Sequence, residues 1–303
     1  MPELSPDAAF GTPGAGAAAV VLAEAGTKTR RHLGLGFWVP ALWILLVVLV
    51  ALFAPVLPLK SSIKSDLSHI ASPPGRGGHL LGTDEIGRDI LARLVWGSRV
   101  SLIVGTVAVA VGLLVGGTVG LVAGYYRGRV EWLLMFLVDT MLAFPALVLV
   151  IALVAFLGQN LRNVTLAVAI VAIPAFARVT RGATLSFAQR EFVTAARGMG
   201  ATNRRIIFSE ILPNVIVPVA AFALVVVAVA IVAEGGLAFL GLSVPQPRPS
   251  WGEMISGGRD KLAGGTAVHV SLIPATVMFV TVLAFNLVGD RLRGFLDVRE
   301  AAI

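Results

Sequence analysis

Arg190-Glu191-Phe192-Val193-Thr194-Ala195-Ala196-Arg197-Gly198-Met199-Gly200-Ala201-Thr202-Asn203-Arg204-Arg205-Ile206-Ile207-Phe208-Ser209-Glu210-Ile211-Leu212-Pro213-Asn214 is a polar, arginine-rich island between two long apolar runs. Runs of that kind cross a bilayer, so the island lies in water beside it. Gly198 and Gly200 interrupt two short helical patterns, Phe192 to Arg197 and Asn203 to Leu212, because glycine readily takes the left-handed backbone that ends a helix. Asn203 is placed to cap the second helix, and Pro213 to open the next membrane helix, where its missing N–H costs nothing. The stretch predicts a helix, a turn and a helix hung beneath the membrane.

Composition agrees. Of 303 residues, 57% are hydrophobic and 14% charged, and the mean hydropathy is positive. A soluble domain cannot hide that much apolar surface, whereas several spanning helices can. The net charge of +7 is read as basic residues that flank spans and meet anionic lipid, with no nucleic-acid partner expected. The absence of cysteine excludes disulfides and thiolate metal sites, and four scattered histidines without a His-x-x-x-His pair count against a zinc enzyme. No lysine follows a glycine, so a phosphate-cradling Gly-Lys-Ser/Thr loop cannot exist, and no Gly-x-Ser-x-Gly elbow supports a hydrolase. Any transport powered by ATP draws its power from another polypeptide.

Taken in order, residues 1–33 read as a disordered tail rich in Ala, Gly and Pro, with Lys28, Arg30 and Arg31 at its end. The run Phe37 to Leu57 that follows is longer than a signal-peptide core and is read as a retained first span within the unit 34–99. Residues 58–99 are polar at first. Thr83 is then placed to cap a helix with Asp84 and Glu85 in its first turn and Ile90, Leu91, Leu94 and Val95 on one face, predicting an amphipathic helix on the bilayer surface. A five-helix core is predicted over 100–295, followed by a tail, 296–303. Its first helix, Val100 to Ala123, carries Gly112, Gly116, Gly120 and, just beyond, Gly124 on one stripe, where a neighbouring backbone approaches closely. The next span, Trp132 to Leu157, contains Asp139 and Pro145. An intramembrane carboxylate is a functional candidate, although Asp139 is near enough to Trp132 to reach interfacial water. The fourth span, Asn163 to Ala177, is expected to be short, between Arg162 and Arg178 and kinked at Pro174. The fifth, Val215 to Ala233, is expected to close at Glu234. Pro245, Pro247 and Pro249 then favour an extended loop before a last span, Val268 to Val288.

Thr194-Ala195-Ala196, then Gly200, then Leu212-Pro213 resemble in spacing the EAA loop of permease subunits of ABC importers, with Thr194 in place of the family's glutamate and Glu210 in place of an isoleucine. Leu81-Gly82-Thr83-Asp84-Glu85-Ile86-Gly87-Arg88-Asp89, and Phe239-Leu240-Gly241-Leu242 followed by Pro245-x-Pro247-x-Pro249-Ser250-Trp251-Gly252, are similar to segments of its peptide and nickel branch. The pattern Asp139-x-x-x-x-Phe144-Pro145 resembles the family's third span. The resemblance implies an all-α protein of six spans with the type I importer permease fold, both ends cytoplasmic, in a bacterial cytoplasmic membrane. It implies that 178–213 is a coupling loop in which Thr194, Ala195, Ala196, Arg197, Gly200, Ala201, Thr202, Asn203, Arg204, Arg205, Leu212 and Pro213 face an ATPase. Asp139, Glu234, Phe239, Leu240 and Trp251 become candidates for a translocation pathway or gate, beside the plainer reading of an interfacial loop. The implied partners are a homologous second permease, one or two P-loop ATPase subunits that bind ATP and Mg, and an external solute-binding protein delivering peptide. This chain itself holds no cofactor and catalyses nothing.

Charge sets the orientation. Arg178, Arg181, Arg190, Arg197, Arg204 and Arg205 crowd the 178–212 segment, whereas Arg162 stands alone before the fourth span, so the former is cytosolic. Two alternatives stay open at this point: nickel or another small solute as cargo, and a proton-coupled transporter working alone.

Overall fold

The computed structural model describes residues 34–300, with side chains to Phe295. Among these residues every named element is helical, and extended pairing is confined to the isolated bridges Ser65 to Arg88 and Thr83 to Asp89. The expected tail over 1–33 lies outside the described residues. Helix α1, Gly34–Phe53, is a single apolar span. It is tied to the last helix, α10 (His269–Glu300), by Trp43 Nε1 donating to Thr281 Oγ1 at 3.0 Å.

The predicted surface helix over residues 83–99 does not form as such. Asp89, rather than Thr83, caps the helix that follows: its carboxylate accepts from the Ala92 N–H at 2.8 Å, and Ile90–Tyr126 runs unbroken as α2. Thr83 instead holds the segment before α2 together, accepting from Ser72 N and donating to the His69 carbonyl. At 37 residues α2 is roughly 55 Å long, so its first turns stand above the hydrocarbon.

Glycine brings α2 against α5, Leu161–Phe187. A Cβ on Gly112 would lie 2.8 Å from Ala172 Cβ, one on Gly116 would lie 2.9 Å from Phe176 Cβ and 3.1 Å from Ala177 N, and Gly120 and Gly124 abut Thr180 and Thr184. The four glycines thus meet successive turns of α5 along one seam, as the stripe predicted. Helix α5 is not the short span expected. Its 27 residues carry Arg178 within the helix, and Pro174 sits buried inside it.

The third span is broken. Helix α3, Gly128–Leu142, and α4, Ala146–Leu157, meet at 84° across Pro145, which cannot continue a helix from Ala143. Among the described residues five helices are long and apolar enough to cross a membrane alone, which makes six spans if this bent pair counts as one. The short helix α6, Glu191–Gly198, lies between α5 and α7. Helix α7, Asn203–Phe239, is continuous, so the expected stop at Glu234 and fresh start at Pro213 are both corrected. Pro213 cannot donate to a carbonyl one turn back. The chain widens into a π-turn at Ile206–Ile211 just ahead of it, and Asn214 Nδ2 donates to the Glu210 carbonyl at 2.6 Å. After the proline loop, α8 (Trp251–Gly257) and α9 (Arg259–Ala263) precede α10.

Candidate functional site

Three groups of residues stand out, at the two ends of the bundle. At the arginine-rich end, α6 shows Val193 and Ala196 to the core and leaves Thr194, Ala195 and Arg197 exposed. It ends in two reverse bonds: Ala201 N donates to the Ala196 carbonyl at 3.0 Å and Gly200 N to the Arg197 carbonyl at 2.9 Å. That pairing requires a left-handed residue at Gly200, whose φ is +81°. Thr202 caps the next turn, its hydroxyl accepting from Arg205 N, where Asn203 was expected to do so. Asn203 has a different task. Its Oδ1 accepts from Tyr125 Oη at 2.7 Å, and the Arg197 guanidinium lies 5.8 Å from the centre of the same ring. Tyr125 ends α2, so this contact joins the loop to the helix that the glycine seam binds to α5.

Ile206, Ile207 and Ile211 anchor the far side of the loop in the core. Arg204, Arg205 and Pro213 are exposed, while Ala201 and Leu212 are half-buried. Met199 is 83% and Phe208 65% exposed. The sequence reading missed both, because an apolar residue in a short amphipathic pattern looks like core until the fold turns it outward. Tyr125 was not among the expected site residues. Ala196 was counted on the docking face and instead faces inward.

At the opposite end, Glu234 is fully buried. Ser243 Oγ donates to its Oε1 at 2.5 Å and Ser101 Oγ to its Oε2 at 3.4 Å, while Ser101 Oγ accepts from Trp251 N at 3.2 Å. One carboxylate therefore joins α2, α7 and the start of α8. Trp251 is 1% exposed, and its Nε1 donates to the Leu94 carbonyl at 3.1 Å. In this structure it packs α8 against α2 and lines no open channel. Phe239 and Leu240 are more than half exposed.

Around that node lies an ionic cluster. Arg88 Nε donates to Asp84 Oδ2 at 2.6 Å, Arg93 Nη2 to Glu253 Oε2 at 2.5 Å, and Gln246 Nε2 to Glu253 Oε1 at 2.9 Å. Arg88 and Arg93 are buried here, and they clamp the segment before α2 onto α8. Burial and the neighbouring Asp84 charge push the Glu85 carboxyl above the usual range, despite Arg88 nearby. Asp139, the remaining candidate, accepts from Arg178 Nη2 at 2.7 Å with both side chains more than half exposed. With Glu131 and Arg181 it pins α3 to α5. The acids of the pathway set are thus not brought together: Glu234 sits at the outer end and Asp139 against α5.

A buried hydroxyl-bonded acid at one end, an exposed capped helix at the other, and a tightly zipped bundle of apolar helices between them are the architecture of a multi-pass membrane protein. Residues 116–301 match the family model described as the binding-protein-dependent transport system inner membrane component. The chain is 39% identical over 269 residues to the glutathione transport system permease protein GsiD of Pectobacterium atrosepticum, covering 88% of this chain and 87% of that one. It is 42% identical over 250 residues to the dipeptide transport system permease protein DppC of Alkalihalophilus pseudofirmus, covering 82% and 81%. To the di/tripeptide permease DppC of Pseudomonas aeruginosa it is 41% identical over 261 residues, covering 84% and 86%. Among solved structures, the MetNI methionine ABC transporter in an inward-facing conformation superposes with a TM-score of 0.56 at 20% identity, over 67% of this chain and 96% of that one. A second crystal form gives 0.57 at 19%, covering 68% and 97%. The chain belongs to the family of binding-protein-dependent transport system inner membrane components. It is a permease subunit of an ABC importer, with the type I permease fold; permease subunits of this family are non-catalytic, and ATP is hydrolysed by a separate subunit.

Proposed function

We propose that this permease imports short peptides across a bacterial cytoplasmic membrane, together with a homologous second permease, one or two P-loop ATPase subunits binding ATP and Mg, and an external solute-binding protein. Curated relatives named for dipeptides, di/tripeptides and glutathione support the cargo class. The observation that carries the mechanism is the exposed helix α6, ended at Gly200 and rooted by Val193, Ala196 and Ile206. An ATPase surface would grip Thr194, Ala195, Arg197, Met199, Gly200, Arg204 and Arg205. Its closure would push on α6, and the push would pass through the three isoleucines to α7 and through Asn203 and Tyr125 to α2. Because α2 and α5 meet backbone to backbone, they would move together. At the outer end the Glu234 node would carry the movement of α7 to the loop bearing Phe239 and Leu240. Glu234 bonded to two hydroxyls and Asp139 paired with Arg178 count against a lone proton carrier.

The test is Gly200→Trp beside Gly200→Ala. Nothing lies within 4 Å of a Cβ at this position, so both variants share the left-handed strain of about 1–2 kcal/mol. Only tryptophan adds bulk on the gripping face. Loss of ATPase co-purification and of peptide uptake in the tryptophan variant alone is expected. Normal uptake with that variant would remove the coupling assignment.

A further inference from the structure

Above the glycine seam, α2 and α5 enclose a groove of about 600 Å³, floored by Ile103, Val107, Leu166 and Ala169. That volume lies inside the range of small-ligand pockets, about 300–1,000 Å³. Two cations, Arg162 and Arg248, line its mouth, at the end where α5 begins. Both are exposed, and neither has an ion-pair or hydrogen-bond partner among the described residues. They contrast with Arg88, Arg93, Arg178 and Arg181, all of which meet carboxylates. Arg162 occupies the first turn of α5, and Arg248 sits between Pro247 and Pro249, so each is carried on stiff backbone. Asn160 beside them uses its Oδ1 to cap α5, accepting from Asn163 N at 2.9 Å, which leaves its amide hydrogens as donors.

We infer that this groove holds a peptide in transit by its C-terminal carboxylate, which Arg162 and Arg248 take up while the apolar floor accepts variable side chains. The inference rests on the peptide-import reading. The carboxylate is the part every linear peptide shares, and guanidinium groups match its two oxygens in a planar, bidentate way. A mouth that reads only this group and an apolar floor without further fixed charge would pass peptides of many sequences. Arg162 and Arg248 are then specificity-determining residues of the permease, independent of the external binding protein.

The experiment uses the complete transporter in proteoliposomes of phosphatidylcholine, supplied with its binding protein and with trialanine or trialanine amide at matched occupancy of that protein. For the Arg162→Gln/Arg248→Gln pair, trialanine uptake at limiting concentration is expected to fall about tenfold or more, from the loss of charge-assisted hydrogen bonds. Amide uptake, already low in the natural sequence, is expected to stay where it was. Arg162→Lys/Arg248→Lys is expected to recover part of the loss, because charge returns without the fork. Co-purification of the ATPase subunits checks assembly. Unchanged trialanine uptake by the glutamine pair overturns the inference, as does an equal fall for acid and amide. A second arm adds phosphatidylglycerol: if the arginines matter only with that lipid present, they hold a lipid headgroup and the inference is wrong. If the natural transporter moves neither peptide, the peptide-import reading itself fails, and this inference with it.

Discussion

Gly116→Ala tests the seam between α2 and α5 directly. The added methyl would sit 2.9 Å from Phe176 Cβ and 3.1 Å from Ala177 N, and closer still to the Ile173 carbonyl oxygen. Ordinary contact begins at 3.4 Å, so the Phe176 approach alone asks for 3.4 − 2.9 = 0.5 Å of separation, and the carbonyl asks for more. Neither neighbour is the loose end of a side chain, and over-packing of this kind costs about 1–3 kcal/mol. Gly117 is the internal control, since a Cβ there first meets Leu113 Cδ1 at 3.6 Å. Both substitutions gain the same helix propensity, about 1 kcal/mol, so the difference between them isolates the seam. The Gly117→Ala complex is expected to melt at or above the natural one. Gly116→Ala is expected to melt below Gly117→Ala by roughly 2–12 °C, from about 1–3 kcal/mol at about 2–4 °C per kcal/mol. Thermal unfolding of the purified complex in nanodiscs reads the stability, and peptide uptake reads the mechanical consequence. Two curves that superpose would refute the claim that close backbone approach makes α2 and α5 one body.

Tyr125→Phe removes the 2.7 Å bond to Asn203 while keeping the ring beneath Arg197. Transport per ATP hydrolysed is expected to drop roughly 2–10-fold, the worth of one hydrogen bond, with little change in assembly; an unaltered ratio would remove Tyr125 from the relay. Glu85→Gln is expected to stabilise the complex near neutral pH. A carboxyl whose folded pKa is raised above 4.5 loses stability as pH rises from 4.5 through the raised value. The advantage of glutamine should therefore shrink on acidification and vanish below about 4.5, as melting curves from pH 7 downward would show. Asp66, whose carboxyl is held low by its hydrogen bond with His69, acts in the opposite sense: its contribution is present above 3.8 and is lost as pH falls below that value. Arg93→Met takes from Glu253 its 2.5 Å partner and leaves Arg88, already held by Asp84, as the nearest cation at 3.9 Å. It should cost about 3–5 kcal/mol, and limited proteolysis should then cut the external segment before α2.

Much of the bundle is legible in residue pattern. Apolar length predicted the spans, and the period-four glycines predicted which face of α2 a neighbour would approach. The Thr-Ala-Ala, Gly, Leu-Pro spacing located α6. Errors cluster where a local signal met a stronger distant one. Thr83 is a good cap by residue type, yet the Asp89 carboxylate holds the Ala92 N–H at 2.8 Å and pairs with His79 at 2.7 Å, so the cap moves from Thr83 to Asp89 and α2 starts at Ile90. Pro213 is a good first residue by type, yet the π-turn and the Asn214 amide let the helix run through it. Glu234 reads as a terminal charge, but Ser101 and Ser243 satisfy it in the interior and α7 continues.

Hydrophobic run length and loop chemistry are properties of neighbouring residues, so the apolar spans, the arginine-rich loop and its left-handed glycine follow from the chain read as a string. Partner choice among charges is not such a property. Arg93 finds Glu253 across 160 positions and Tyr125 finds Asn203 across 78, and Arg162 and Arg248 come to one groove from different elements. Only packing of the helices decides which charges are neutralised and which stay free, because ion pairing acts over a few ångströms of space and takes no account of distance along the chain.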